Sequence, residues 1–268
     1  MRKFLTLSTL CVAMFGAASV ASAARLEIIG SPTVREIPNN FNPGPSGAIG
    51  AINTFISHGA VGSLNVLSDF DTDVSVFSGS AKNASNGLAI DFEGASSVDI
   101  TFTYFGKEAA FTNLALAING GTTTLFNNTT SSIGDTATLT FTSTGNSGSF
   151  FIPFIFQTNR GTSNTSDDLR IANDGGATKV STGDPVNNLE IGFLQDLNGD
   201  LFTNDLGVVE GSTVAFFGDG TGDTDLDDMV IGIGITSITA VPLPAPVLLL
   251  LTALGGLGVM SRIKRRLA

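Results

Sequence analysis

The chain has almost none of the residues on which crosslinked and catalytic proteins most often rely. Its one cysteine is Cys11, its one histidine His58 and its one tyrosine Tyr104, and tryptophan is absent. Cys11 sits in an apolar run near the start, so the body of the chain has neither a disulfide nor a thiolate metal ligand. One histidine leaves a zinc site or a His-based nucleophile without its usual partners. A lone Tyr and no Trp, against 20 Phe, leave few of the flat rings with a polar edge that sugar-binding surfaces use. Basic residues are scarce too. Between residues 24 and 241 only Arg25, Arg35, Lys82, Lys107, Arg160, Arg170 and Lys179 are basic, and all 24 acids lie there, for a net charge of −17. Such a body repels nucleic acid and anionic lipid and attracts cations. Nucleic-acid binding is excluded on that ground. Bound Ca2+ is the expected source of rigidity for an acid-rich body without disulfides.

What is present begins at the two ends. Arg2 and Lys3 precede an apolar stretch from Phe4 to Val20, and Ala21-Ser22-Ala23 has the A-x-A form of a cleavage site. Residues 1–23 are therefore expected to be a signal peptide, cut by signal peptidase to leave Ala24 as the first residue. The other end has three parts: Val241-Pro242-Leu243-Pro244-Ala245-Pro246, an apolar run from Val247 to Met260, and a basic stop of Arg262, Lys264, Arg265 and Arg266. Proline disfavours helix in the residue before it but is tolerated in a first turn, so a helix is expected to start at Pro246. About 16 residues at ~1.5 Å each reach ~25 Å, short for a hydrocarbon core of ~30 Å. The expectation is a transmembrane helix over about 246–261 with its basic end in the cytoplasm. The competing reading is a buried C-terminal core helix, which four basic residues with no acid nearby disfavour.

The order of these three parts resembles the VPLPA-type PEP-CTERM sorting signals, bacterial tails recognised by membrane proteases of the exosortase class. The resemblance covers residues 241–268. It implies a Gram-negative source, an inner-membrane intermediate, cleavage near Val241, Pro242, Leu243, Pro244 and Ala245, and an exported product often associated with extracellular polysaccharide. A tail removed in this way leaves no membrane helix in the mature protein.

Residues 24–240 are expected to form one all-β domain, an antiparallel β-sandwich of jelly-roll-like form. Ser97 to Tyr104 alternates Val98, Ile100, Phe102 and Tyr104 with Asp99, Thr101 and Thr103, and Thr136 to Thr142 does the same with Ala137, Leu139 and Phe141. That two-residue period marks half-buried strands. Further strands are predicted at 26–29, 64–67, 74–77, 87–92, 111–118, 122–126, 149–156, 189–194, 212–217 and 229–238, with turns such as Asn119-Gly120-Gly121 between them. About a dozen short strands suggest a sandwich. Phe150 to Phe156 is apolar on both faces, as in a central strand, yet Pro153 argues for an edge or a bulge. Residues 49–56 are expected to form a turn or two of helix, and 157–188 a long polar loop.

Two acidic clusters are candidate metal loops. Asp219, Asp223, Asp225, Asp227 and Asp228 fall within ten residues, just before an apolar strand. Carboxylates so crowded repel unless a cation sits among them, and a Gly-rich loop lets side-chain and backbone oxygens converge on Ca2+. The spacing Asp223, Asp225, Asp227 matches the start of an EF-hand loop, but Asp228 and Gly234 stand where that loop has Gly and Glu. The segment is similar to a short acidic motif in DUF4114-like exported β proteins, which implies a Ca2+ or structural role for it. The second cluster is Asp196-Leu-Asn198-Gly-Asp200, whose alternate side chains suit Ca2+, or alternatively a solvated Asx turn.

Catalysis finds little support. Gly145 to Ser149 faintly echoes the surround of a serine nucleophile but lacks its Asp. Asp91 and Glu93, alternating on one strand face, suit either a groove wall or a solvated surface. The expected function is that of a non-enzymatic, exported cell-surface or matrix protein. The alternative is a secreted β-sandwich that binds or hydrolyses polysaccharide.

Overall fold

The computed structural model describes residues 24–36, 73–107, 109, 111–145, 149–159, 168–195, 213–220, 226 and 228–240. Those residues are all-β. In chain order the strands are β1 (Arg25–Ile29), β2 (Thr33–Glu36), β3 (Asp73–Ser78), β4 (Gly87–Asp91), β5 (Ala95–Gly106), β6 (Asn113–Ile118), β7 (Thr122–Asn127) and β8 (Thr136–Thr142). They continue as β9 (Phe150–Phe151), β10 (Phe154–Thr158), β11 (Leu169–Ala172), β12 (Ala177–Lys179), β13 (Glu190–Gln195), β14 (Thr213–Gly218) and β15 (Met229–Ala240). Every pairing between them is antiparallel. They form three sheets, of order β1-β4-β9, β12-β11-β10-β6-β7 and β2-β3-β13-β14-β15-β5-β8.

The two larger sheets meet face to face, as in a sandwich, through phenylalanine. The alternation in β5 turns Val98, Ile100, Phe102 and Tyr104 inward, and all four are buried in the main core. Phe102 and Phe193 of the seven-stranded sheet each meet Phe154 of the five-stranded sheet edge-on, at 6.2 and 6.4 Å between centroids. Phe217 stacks on Phe156 at 5.1 Å, and Tyr104 tilts against Phe126. Such ring pairs add about 0.5–1.5 kcal/mol each beyond the area they bury. Between β14 and β5, β15 carries Gly232 where a Cβ would lie 2.5 Å from Cζ of Phe105, so the ring occupies the place of a side chain.

Most of the predicted strands are present within a residue or two. The predicted strand at 64–67 and helix at 49–56 lie outside the described residues. Two expectations need correction. The 149–156 segment is not one strand: Pro153 divides it, and the two halves join different sheets. Phe150 and Phe151 pair with Ile90 and Ala89 of β4, whereas Phe154 onward pairs with β6 and β11. The missing N–H of Pro153 falls where the chain changes sheet, and its carbonyl still accepts from Ile118 N–H at 2.8 Å. The second correction concerns 157–188, which is not a continuous loop. It finishes β10 and supplies β11 and β12, because Leu169, Ile171 and Ala177 are spaced to enter the core.

The three-stranded and five-stranded sheets are tied together at one polar knot. The Asn173 side chain, fully buried, donates through Nδ2 to Leu88 O (2.7 Å) and Ile152 O (2.8 Å) and accepts from Leu88 N–H at Oδ1 (2.7 Å). Its own N–H donates to Phe154 O at 2.8 Å. One residue thus holds β4, the sheet-switching Ile152 and β10 at once. Beside it lies Lys82, only 5% exposed. Its ammonium donates to Asn173 O (2.6 Å), Gly175 O (3.2 Å), Asn83 O (3.0 Å), Asn86 Oδ1 (3.1 Å) and Asn86 O. Gly87, at φ +134°, passes so close that a Cβ would lie 2.5 Å from both oxygens of Asn173.

Replacing Asn173 leaves buried backbone groups without partners, at about 1–3 kcal/mol for each unsatisfied group. Asn173→Ala should lower the unfolding free energy by about 2–4 kcal/mol in urea titration. Asn173→Asp keeps the shape but cannot donate to Leu88 O and Ile152 O, so it should be destabilised as well. A variant as stable as the parent would remove the knot from its place in this fold.

Candidate functional site

The acidic loop of 219–228 springs from the ends of β14 and β15, and its two feet are described. Asp219 follows β14 directly and is fully buried; Asp228 precedes β15 and is 7% exposed. The feet are clasped. Asp219 N–H donates to Asp228 Oδ2 at 2.6 Å, and Asp228 N–H donates to Phe217 O at 3.1 Å, which carries the β14–β15 ladder one step further. Asn113, at the start of β6 in the opposite sheet, donates through Nδ2 to Asp228 O at 3.2 Å. The fully buried Asn113 Oδ1 accepts no hydrogen bond among the described residues. Outside the clasp, Asn188 Nδ2 donates to Gly220 O at 2.9 Å, and Leu226 is buried against Gly192 of β13. Two carboxylates are therefore drawn into the protein at the base of the loop.

Asp223, Asp225 and Asp227 lie outside the described residues, as do Asp196, Asn198 and Asp200. Of the eight predicted metal residues, Asp219 and Asp228 are thus the two placed, and they are placed together. Among the described residues no group of three or more acidic, histidine or cysteine side chains converges. His58, the sorting motif at 241–245 and the basic stop of Arg262, Lys264, Arg265 and Arg266 also fall outside. No helix among the described residues is long and apolar enough to cross a membrane.

The other acidic candidates resolve differently. Asp91 and Glu93 do not share a strand face, because β4 ends at Asp91 and Glu93 sits in a turn with φ +43°. Both carboxylates close on Arg25, at 3.2 Å each. Glu93 N–H also donates to Asp91 Oδ1 at 3.1 Å. These groups are partly exposed and occupied by their own cation, so they form a solvated cluster rather than a groove wall.

Asp99 lies on the outer face of β5 within a field of hydroxyls. Ser237 Oγ donates to its Oδ2 at 2.5 Å and Thr140 Oγ1 to its Oδ1 at 2.6 Å. These two hydrogen bonds, Ser237 first, hold the Asp99 carboxyl below its ordinary value, against a small opposing effect of burial. Elsewhere burial raises Tyr104 to about 12, so its hydroxyl stays neutral. Burial lowers Lys82 to about 8, with Asp174 working the other way.

The polar residues that matter most to this architecture, Lys82, Asn86, Asn113 and Asn173, carry no sequence motif. Asn and Lys in Gly-rich stretches read as solvated turn residues, and their burial appears only when distant strands meet.

The Asp99 contacts carry a pH dependence whose sign is fixed. The folded value lies below the unfolded one of about 3.9, so this stabilisation is complete above that value and is lost as pH falls through the folded value. Asp99→Asn should therefore shrink the fall in Tm on acidification, read by thermal melts across the acid range. An unchanged acid limb would show that the two hydroxyls do not stabilise the carboxylate. Comparison of the chain with protein-family models, curated proteins and solved structures found no match.

Proposed function

We propose that the chain is a non-enzymatic exported protein of the cell surface or extracellular matrix, sorted through its C-terminal tail and stabilised by Ca2+. The observation that carries this reading is the order of the parts: a leader with an A-x-A site, an acidic β body, and a tail of proline motif, apolar run and basic stop. On this reading signal peptidase removes residues 1–23. A membrane protease of the exosortase class then acts near Val241–Ala245, after the basic stop has held the chain in the inner membrane. The jelly-roll form of the sandwich belongs to the same proposal. It is supported by the pairing of β5 with β15 and of β3 with β13, strands far apart in sequence, as Greek-key connections require.

The Ca2+ part of the proposal rests on the feet of the 219–228 loop. Hard cations take carboxylate and amide oxygens. What supports an ion there is two buried acidic residues, with Asn113 reaching Asp228 O through Nδ2 while its Oδ1 accepts no hydrogen bond among the described residues. Asp219 and Asp228 would hold the ion, with the remaining loop acids as further ligands. The ion would supply charge balance for the carboxylates and no chemical step. The polysaccharide-hydrolase alternative loses its best carboxylate pair to Arg25.

Mass spectrometry of the protein recovered from outside the cell tests the sorting. It should begin at Ala24 and end between residues 241 and 246; an intact leader on a cytosolic protein overturns the proposal. Chelation tests the metal. A ligand at about 100 times its Kd adds about 2.7 kcal/mol to a native state that alone binds it. EDTA should lower Tm by several degrees, Ca2+ should restore it, and Asp219→Asn with Asp228→Asn should abolish the difference. A Tm indifferent to EDTA and Ca2+ removes the ion from the proposal and leaves the sorting intact.

A further inference from the structure

The seven-stranded sheet ends at β8, and that edge differs from the others. Its seven residues, Thr136 to Thr142, include no charge and no proline, and they pair with β5 without a bulge. The remaining edges are blunted in the ways sheet proteins use against chance pairing. Edge strand β1 carries Arg25 and Glu27, β2 carries Arg35 and Glu36, and β12 carries Lys179. Edge strand β7 is broken in register opposite Ala115 and Leu116, and β9 has only two residues.

Which backbone groups of β8 face outward follows from the ladder. Ser143 N–H donates to Ser96 O, and Asp135 O accepts from Tyr104 N–H. Hydrogen-bonded pairs recur every second residue in an antiparallel ladder, so the odd residues 135 to 143 bond to β5. The N–H and C=O groups of Thr136, Thr138, Thr140 and Thr142 therefore point away from the sheet. All four residues are exposed. The contact from Asn119 Nδ2 to Thr140 O, at 3.5 Å, agrees with that direction and leaves the second lone pair of this carbonyl available.

We propose that β8 is a docking edge for a second copy of this chain, with two β8 strands paired antiparallel about a two-fold axis through Leu139. The residues select that partner and that register. Centred on Leu139, Thr136 faces Thr142 of the second copy and Thr138 faces Thr140, so every outward backbone group meets its complement. On the outer face this sets threonine against threonine, a favourable cross-strand pair. On the inner face Ala137 meets Phe141, and Leu139 meets its own counterpart. Ala137 and Leu139 are only partly buried against the core at this edge, and the second strand covers them. Both copies carry a net charge of −17 between residues 24 and 241, so an uncharged strand is where two of them approach at least cost. The result is an isologous dimer with one sheet continuous across it.

The near-absence of cysteine provides the test. In this register the two Leu139 residues form a non-hydrogen-bonded pair with Cα atoms about 4.5 Å apart, within the ~4.4–6.8 Å that a disulfide spans. The full chain with Leu139→Cys in a Cys11→Ser background, kept without reductant, should run as a dimer on a non-reducing gel and as a monomer after reduction. Thr138→Cys in the same background should stay monomeric, because Thr138 faces Thr140 and not itself. No dimer from Leu139→Cys, equal crosslinking of both variants, or a link from Leu139→Cys to a different protein overturns the proposal. A second measurement needs no cysteine. Thr138→Pro removes an outward N–H and leaves the β5 ladder intact, so the monomer folds. Sedimentation of the detergent-solubilised full chain should show a parent dimer whose dissociation constant rises at least tenfold in Thr138→Pro. A monomeric parent, or a proline variant that dimerises as well as the parent, is the opposite result.

Discussion

A buried ammonium and a buried amide hold the three-stranded sheet and the five-stranded sheet in one arrangement. The five carbonyl oxygens around Lys82 Nζ belong to two turns, 83–86 and 173–175, that are about ninety residues apart in sequence. Asn173 acts as a strand made of one side chain, offering Leu88 both a donor and an acceptor as a ladder neighbour would. Taking a charge out of water is costly, and an ion this deep persists only when its hydrogen bonds are saturated. Three N–H bonds shared among five acceptors meet that condition. A body with no cysteine cannot crosslink these turns, and here a lysine does so without a covalent bond.

The knot matters because the apolar part of the structure does not by itself specify how the sheets meet. A core of many Phe rings offers several near-equivalent packings, and volume and pattern alone give a folded chain before they give a unique one. Polar groups that tolerate only one set of partners remove that degeneracy. The change of sheet at Pro153 shows the coupling. Phe150 and Phe151 are held by β4, Phe154 onward by β6, and the residue between them, Ile152, is bound from both sides by Leu88 O and Asn173 Nδ2. Displacing Asn173 would free the hinge at which one strand leaves a sheet and enters another.

How much of this could be read in advance depended on whether the signal was periodic. Strands such as β5 and β8 announce themselves by alternation, because burial of one face of a pleated ribbon enforces a period of two. β11 and β12 did not, since Leu169-Arg-Ile171-Ala and Ala177-Thr-Lys are too short to show a period amid Gly, Asn and Asp. The Pro153 conflict was visible, but its resolution required knowing that two sheets compete for the segment. Asp219 and Asp228 stood out by crowding. Asn113, which touches Asp228 from the other sheet 115 residues away, had no local sign at all. Pairings that depend on tertiary proximity are invisible to any window of sequence, and most of the buried polar contacts here are of that kind.

The distribution of charge completes the account. A body with 24 acids is self-repelling, and its acids are handled in three ways. Arg25 bridges Asp91 and Glu93 at the surface. Hydroxyls solvate Asp99 on the outer face of β5. At the loop between β14 and β15, Asp219 and Asp228 are both buried, and the Asp219 N–H holds the Asp228 carboxylate, where like charges are least screened. The first two arrangements are satisfied by the chain itself. The third buries two acidic residues side by side at the base of one loop, with Asp228 Oδ2 accepting from Asp219 N–H. Between these acidic regions, β8 is a charge-free strip with its backbone turned outward. That absence of charge sets this edge apart from the edge strands β1, β2 and β12, which each carry charged residues.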